Sequence, residues 1–511
     1  MSASFGSRAT AVLASPWVFR AFLLVNMVLP FCTHFYPTLD GPAHLYNAQL
    51  LKCYLLGDEA VRAWFALHPL PVPNWLDHAL LAGLLTVLPG WLAEKTLVLI
   101  YIAGMAIGFR RLMRTVAPGN EPLSLLVFPL IHGCLFNMGF FNFSTGVALW
   151  FFAVAEGLKW LEDQRTQRLF VLAALGTLLY FSNVLAFGLA GFTLGCALFW
   201  NMRNSSTGRW SMLLKQVSAL LLVFLPGLVC FAWFSSGTDL PAADGTRPLT
   251  ELIEWLWTAR PLQWTRYEEE GQIALLFVAV LAALLVSLAF TRRERTQWSH
   301  VLLPPLLLLL TLYLLTPDTA HAGMMSDRYC YLFFIVFSAW LTTAVPVRRY
   351  SVLLACGAGL VQLALTTEQL LHTRMRLDVQ ATAMHNAPHF LDDHATVQPV
   401  NLSSDWNEGH LSNYLGTERP LFIMENYEAR LGWFPLRWKD EERWTRCVGE
   451  RPSYGVQCRT DGGSLPDHVV VHGDLSRAQE DQQLLSELSR HYRLVHVDAI
   501  GSLAVFTLRE Q

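Results

Sequence analysis

The chain has 511 residues, of which 53% are hydrophobic and 15% charged, and its net charge is −3. A charged fraction so far below the roughly 25% of soluble proteins excludes an ordinary soluble domain. The slightly acidic balance excludes a basic surface for nucleic acid.

Many apolar runs reach the roughly 20 residues that cross a bilayer core, so the sequence predicts a polytopic helical membrane protein. The first apolar segment, 16–36, runs into chain that still reads as structural, and so it is expected to be a retained helix rather than a cleaved signal. Next comes a long loop, Tyr36–Asn74, with interfacial helices expected at 42–56 and 58–68. Further apolar segments follow at 75–89, 93–112, 122–137, 142–158, 168–182, 184–200, 213–234, 272–290, 299–316, 329–345 and 350–371. A third interfacial helix is expected at 249–258, inside the loop 235–270, where Trp and Tyr suit the headgroup zone. Beyond residue 371 the chain turns polar. Strand-like runs at Leu421–Met424, His468–His472 and Leu503–Leu508, with an amphipathic stretch at Gln479–Tyr492, predict a soluble α/β domain over 372–511. The expected fold is thus an α-helical bundle, residues 1–371, followed by an extracytoplasmic α/β domain.

Basic residues in short loops set the orientation. Lys159, Arg165 and Arg168 mark one cytoplasmic loop, and Arg203, Arg209 and Lys215 another. Arg292, Arg293 and Arg295 mark a third, and Arg348 with Arg349 a fourth. By contrast, Ser235–Glu270 carries seven acids against three Arg. Twelve crossings would leave the C-terminal domain on the cytoplasmic side, against this charge pattern. An odd number, about eleven or thirteen, is expected instead, either with 75–112 crossing once as a helix broken at Pro89-Gly90 or with one short segment re-entrant. Seven of the nine cysteines lie in or beside apolar segments. Cys447 and Cys458 sit in polar chain, where they can pair if that region lies outside the cytoplasm.

The chemically loaded stretch is FYPTLDGPAHLYNAQ, Phe35–Gln49. Asp40 stands where an acid caps a helix, just before Gly41 and Pro42. It also stands where a general base would meet an acceptor hydroxyl, and the two roles are compatible. His44 and Asn47 follow on the same helix, placed either to position a hydroxyl or to hydrogen-bond at the interface. A second outward cluster, Asp318, His321, Asp327 and Arg328, reads as a phosphate clamp with a guanidinium fork, or as solvated loop with an anchoring Arg. Asn137 and Asn142 face sugar hydroxyls or tie a hairpin together. Arg260 and Arg266 flank Trp264 in a segment that either lines a lipid or sugar groove or skims the membrane. In the C-terminal domain Asp405, Glu408 and His410 have a spacing that fits no metal pattern. Their loop is expected to shape the outer entrance, with His410 among its substrate-facing groups.

Asp40 after the first membrane helix, the helical outer loop to Asn74, the bundle and the outward C-terminal domain resemble the GT-C superfamily of integral membrane glycosyltransferases. Examples are the protein O-mannosyltransferases and the lipid A aminoarabinose transferases. O-mannosyltransferases place a second acid directly after the first, whereas here Gly41 follows Asp40. The resemblance implies an inverting transfer, metal-independent or metal-optional and needing no other cofactor. The donor would be a sugar on a polyprenyl phosphate, and the acceptor a lipid, glycan or protein at the outer face of a bacterial inner membrane. It makes Asp40 the base and Arg328, with Arg260 or Arg266, the phosphate partners. The competing expectations are a lipid or glycolipid transporter, which would bury ionisable groups mid-helix, and a non-catalytic membrane assembly subunit.

Overall fold

A computed structural model describes residues 11–509 apart from 205–208, 238–244, 291–295, 320–322, 450–452, 454 and 460–461. The chain divides into two compact units. One comprises Met1–Leu29, Leu99–Asn137 and Phe141–Leu370; the other comprises Pro30–Val98, Met138–Phe140 and Leu371–Gln511.

The chain is an integral membrane protein. Among the described residues six helical runs are long and apolar enough to cross a bilayer: Gly90–Val116, Phe141–Asp163, Val184–Arg203, Trp210–Ser236, Tyr267–Ser287 and Arg349–Phe390. Shorter apolar helices span Pro16–Cys32, Glu121–Ile131, Thr166–Ser182 and Leu303–Leu315. In the first unit Phe141–Asp163 is the inner helix, with 89% of its most apolar window buried against 28% for Trp210–Ser236. The latter exposes Leu221, Leu222, Leu225 and Val229, an apolar face that lipid covers. Small residues let inner helices close up: a Cβ on Gly108 would meet the Phe152 ring at 2.9 Å. A polar chain is buried in the same unit. His132 Nε2 lies 3.0 Å from Asn26 Oδ1, and Gln362 Nε2 donates to that oxygen and to Thr366 Oγ1, both at 2.7 Å. Each of these polar groups has a partner, as the absence of water at that depth demands.

Local structure departs from the sequence pattern at three places. The segment 75–89 is not a crossing. It is the nine-residue helix Leu76–Leu84, about 14 Å long and under half the thickness of a bilayer core. The chain is interrupted at Pro89, and a separate 27-residue helix starts at Gly90. The apolar run 122–137 is also broken, into Glu121–Val127, Phe128–Ile131 and Cys134–Asn137. Finally, 58–68 is helical only over Glu59–Trp64.

Among the described residues there are seven strands: β1 (Phe65–Leu67), β2 (Thr396–Asn401), β3 (Phe422–Ile423), β4 (Leu436–Trp438), β5 (His468–His472), β6 (Tyr492–Val497) and β7 (Leu503–Leu508). Phe65–Leu67 leaves the helical pattern because it pairs antiparallel with β4, where Phe65 and Trp438 rings lie 4.5 Å apart. The other five form one sheet in the order β3-β2-β5-β7-β6. β3, β2 and β5 run parallel, while β7 is antiparallel to both β5 and β6. β2 holds Pro399, which cannot donate to a ladder. It is tolerated because β3 pairs only with Thr396 and Val397, so the side Pro399 faces has no strand left to serve. On one face of the sheet Val400, Val469, Val471 and Tyr492 pack with Leu484 and Leu488 of the helix Gln482–His491. Cys447 and Cys458 form a disulfide, with Cα atoms 5.1 Å apart.

Candidate active site around Asp40

Asp40 belongs to the second unit, and the run that leads to it is held by its backbone. The Asp378 carboxylate accepts from the N–H groups of His34 (3.0 Å) and Phe35 (2.7 Å). Glu94 accepts from the Tyr36 N–H at 3.4 Å and from the Tyr414 hydroxyl at 3.0 Å. Arg374 donates to the Pro37 carbonyl at 2.9 Å and lies over the Tyr36 ring, 3.8 Å from its centre. None of these partners adjoins Asp40 in sequence.

The helix that follows, Gly41–Leu56, carries Pro42 in its first turn, where a missing N–H costs nothing. The Asp40 side chain does not cap it. Thr38 Oγ1 accepts from the Gly41 N–H at 3.0 Å instead, which leaves the carboxylate to other partners. The Asp40 N–H donates to the Met138 carbonyl at 3.1 Å. That contact needs Gly139, which sits at φ +84° and whose Cβ would fall 2.7 Å from the Asp40 and Gly41 nitrogens.

The carboxylate lies between His410 and Tyr427. His410 Nε2 is 3.6 Å from Asp40 Oδ1, and the Asp40 side chain is 14% exposed, so it is enclosed without being sealed. The Tyr427 hydroxyl donates to it. The His410 ring stacks on Tyr427 at 4.3 Å and places Nδ1 2.6 Å from Glu425 Oε1. Glu425 in turn accepts from Ser412 Oγ at 3.0 Å and from Asn413 Nδ2. Burial raises the Asp40 carboxyl above the ordinary carboxylate value, against the pull of His410 and His44. Burial works against a charged His410 too, but Glu425 outweighs it and the ring rises to about 9. The arrangement therefore sets a carboxyl with a raised pKa beside an imidazole that is protonated at neutral pH.

One turn along the helix, His44 Nδ1 is 2.6 Å from Glu428 Oε1 and Nε2 is 2.8 Å from the Gly139 carbonyl. His78, on the helix Leu76–Leu84, places Nε2 2.9 Å from Glu428 Oε2 and Nδ1 3.1 Å from the Asn74 carbonyl. Burial pushes the Glu428 carboxyl up, but the two imidazoles bring it down to about 2. Burial likewise opposes charge on His44, and Glu428 overcomes it to hold the ring at about 9.

Three other residues of this unit that the sequence singled out have structural partners. Asn47 exchanges amide hydrogen bonds of 3.0 Å with Asn426. Asp405 and Glu408 both bind Arg376, Glu408 at 2.5 Å. In the first unit Asn137 donates to the His132 carbonyl (2.9 Å) and to Gln369 (3.2 Å). Asn142 is buried, and its carbonyl accepts from Ser182 Oγ at 2.6 Å. Asp318 pairs with Arg247 at 2.9 Å and accepts from the Ser326 N–H at 3.0 Å. It therefore anchors the start of the helix Met325–Ala344. Asp327 and Arg328 are both buried, and Arg328 Nε donates to the Gly323 carbonyl at 3.2 Å. Arg266 is held by Glu269 and Glu368. Arg260 donates to the Gln263 carbonyl at 2.7 Å and stacks on Tyr267 at 4.6 Å. His321 lies outside the described residues.

Sequence reasoning did not identify Glu425, Tyr427, Glu428 or His78. The first three lie in MENYEAR, a run dense in polar and aromatic residues. That density was the only local signal.

No protein-family profile matches the chain, and no curated protein sequence does. Solved structures do. ArnT from Cupriavidus metallidurans in the apo state matches with a TM-score of 0.57 at 12% identity, over 97% of this chain and 99% of ArnT. The same protein bound to undecaprenyl phosphate matches with a TM-score of 0.53 at 12% identity, over the same shares. At that identity the likeness shows the fold alone: the chain has the fold of ArnT.

Proposed function

We infer that the chain is a membrane glycosyltransferase that moves a sugar from a polyprenyl-phosphate carrier to an acceptor hydroxyl, with inversion and with Asp40 as general base. The observation that carries this reading is the Asp40 carboxylate. It is partly open to solvent, it is spared from capping its own helix, and it sits 3.6 Å from an imidazole locked by a buried acid. A base near neutral pH needs a carboxyl that is ionised yet raised above its ordinary value, and burial supplies that direction. As the acceptor oxygen attacks the anomeric carbon, its proton passes to Asp40. The bond from that carbon to the carrier phosphate breaks, and the phosphate leaves with the electron pair. His410 and Tyr427 hold the carboxylate in place by charge and hydrogen bond.

The choice of carrier is supported by the shared fold with a protein solved with undecaprenyl phosphate bound. A departing phosphate calls for a guanidinium partner. Of the arginines expected from the sequence for that role, Arg266 is committed to two carboxylates. The acceptor is a lipid, a glycan or a protein. The Cys447–Cys458 disulfide suits an oxidising compartment and, with the basic loops, supports a bacterial inner-membrane protein whose C-terminal domain lies outside the cytoplasm.

Purified full-length protein supplied with polyprenyl-phosphate sugars tests this. The Asp40→Asn variant is expected to lose about 10²- to 10⁴-fold in transfer rate, the usual share of a general base, while still binding undecaprenyl phosphate. A variant that transfers as fast as the parent removes Asp40 from the chemistry.

A further inference from the structure

The geometry points to a divalent-cation site of the zinc class, held by His44 Nδ1, His78 Nε2 and the Glu428 carboxylate. These atoms all lie within 4.8 Å of one another. The side chains are 5%, 1% and 0% exposed. They come from the helix Gly41–Leu56, the helix Leu76–Leu84 and the turn at Glu428–Arg430, three segments far apart in sequence.

Each of the two rings already has one nitrogen taken. His44 Nε2 faces the Gly139 carbonyl and His78 Nδ1 faces the Asn74 carbonyl. A carbonyl can only accept, so those nitrogens carry the ring protons. With each ring neutral, its inward nitrogen is a lone pair aimed at a carboxylate that also only accepts. Three converging acceptors need a shared cation. Without an ion, the extra proton that Glu428 holds on His44 serves as that cation, and a divalent ion would take its place. One divalent ion satisfies all three with both rings neutral. Imidazoles whose outer N–H donates to a backbone carbonyl are also the usual form of a metal-bound histidine.

The ligand set decides the class of ion. Two imidazole nitrogens and one carboxylate, with a fourth position left for water, match zinc. Magnesium and calcium prefer all-oxygen shells, and among the three ligands no thiolate or thioether favours copper(I). The nitrogen–oxygen separations, 2.6 and 2.9 Å, are shorter than the roughly 3.4 Å between atoms sharing one zinc at bonds of about 2.1 Å. Loading therefore asks the side chains to part by less than about 1 Å. The ion would clamp the helix that presents Asp40 onto two other segments. It makes no use of the transfer reading.

The test uses the full chain, freed of any affinity tag, stripped with chelator, reloaded with zinc sulfate and desalted before elemental analysis. About one zinc per chain is expected for the parent and for His410→Gln, which alters only the neighbouring cluster. His78→Gln and Glu428→Gln are expected to weaken zinc binding by about tenfold or more. Cobalt(II) loaded into the parent should give the visible absorption of a tetrahedral nitrogen–oxygen site, and this decides the matter if the variants do not fold. No zinc retained by the parent, no cobalt spectrum, or undiminished zinc in a folded Glu428→Gln would overturn the site. None of these readouts depends on sugar transfer, so failure here and failure of the Asp40 assignment can be told apart.

Discussion

In its cluster of acids Asp40 alone keeps solvent contact: its side chain is 14% exposed, against 2% for Glu425 and none for Glu428. That exposure, together with the neighbouring charge, has a measurable consequence. In the proposed mechanism transfer needs ionised Asp40, so activity should fall as pH drops through its folded pKa, which burial has raised. His410, held at about 9 by Glu425, is charged over the working range and pulls the Asp40 pKa back down. Removing that charge should raise Asp40 further, and the acid limb of the pH–rate profile of His410→Gln should move to higher pH. A limb that stays put or moves down would show that the imidazolium does not act on Asp40. Asp40 was legible in the sequence because its position before a Pro-started helix is a local property. His78 and Glu428 were not, because the contact between them spans 350 positions of chain and no spacing rule reaches that far.

The short turn Met138–Phe140 matters out of proportion to its length. Gly139 keeps a positive φ and lets the chain touch the Asp40 backbone, while its carbonyl fixes His44. Gly139→Ala places a methyl 2.7 Å from two backbone nitrogens. It should displace Asp40 and cut transfer by about 10²-fold, the cost of a misplacement of roughly 1 Å, while the protein remains folded by circular dichroism. Undiminished transfer would mean that this turn does not position the base. Elsewhere elements followed or escaped their local signals for physical reasons. His468–His472 and Leu503–Leu508 are strands with the predicted ends, since each alternates or buries β-branched residues between turn formers. Thr396–Asn401 was missed because Pro399 argues against a strand, and only the shortness of β3 removes the objection. Phe65–Leu67 reads as the tail of a helix until β4 arrives to pair with it.

At the scale of the whole molecule, two units share one chain, and the second collects residues from the beginning, middle and end of the sequence. That second unit is stapled by the Cys447–Cys458 disulfide, which closes a separation of 11 residues. Replacing both cysteines with serine should lower the stability of that domain by roughly 2–3 kcal/mol in the chain-entropy account, read as a lower midpoint in thermal unfolding. In intact cells, alkylation of Cys447 and Cys458 should require prior reduction. Labelling without reductant would place the domain in a reducing compartment and count against the outer-face reading.

The sequence by itself determined the membrane character, the course of the long apolar helices and the interruption at Pro89-Gly90. Hydropathy, prolines and glycines act over a few residues, so a single strand of letters carries them. Tertiary structure alone decided that Thr38 and not Asp40 caps the helix, that His410, Tyr427 and Glu425 surround the carboxylate, and that two histidines converge on Glu428. Those outcomes depend on which distant segments meet once apolar surface is buried, and on which of them can satisfy a polar group that water no longer reaches.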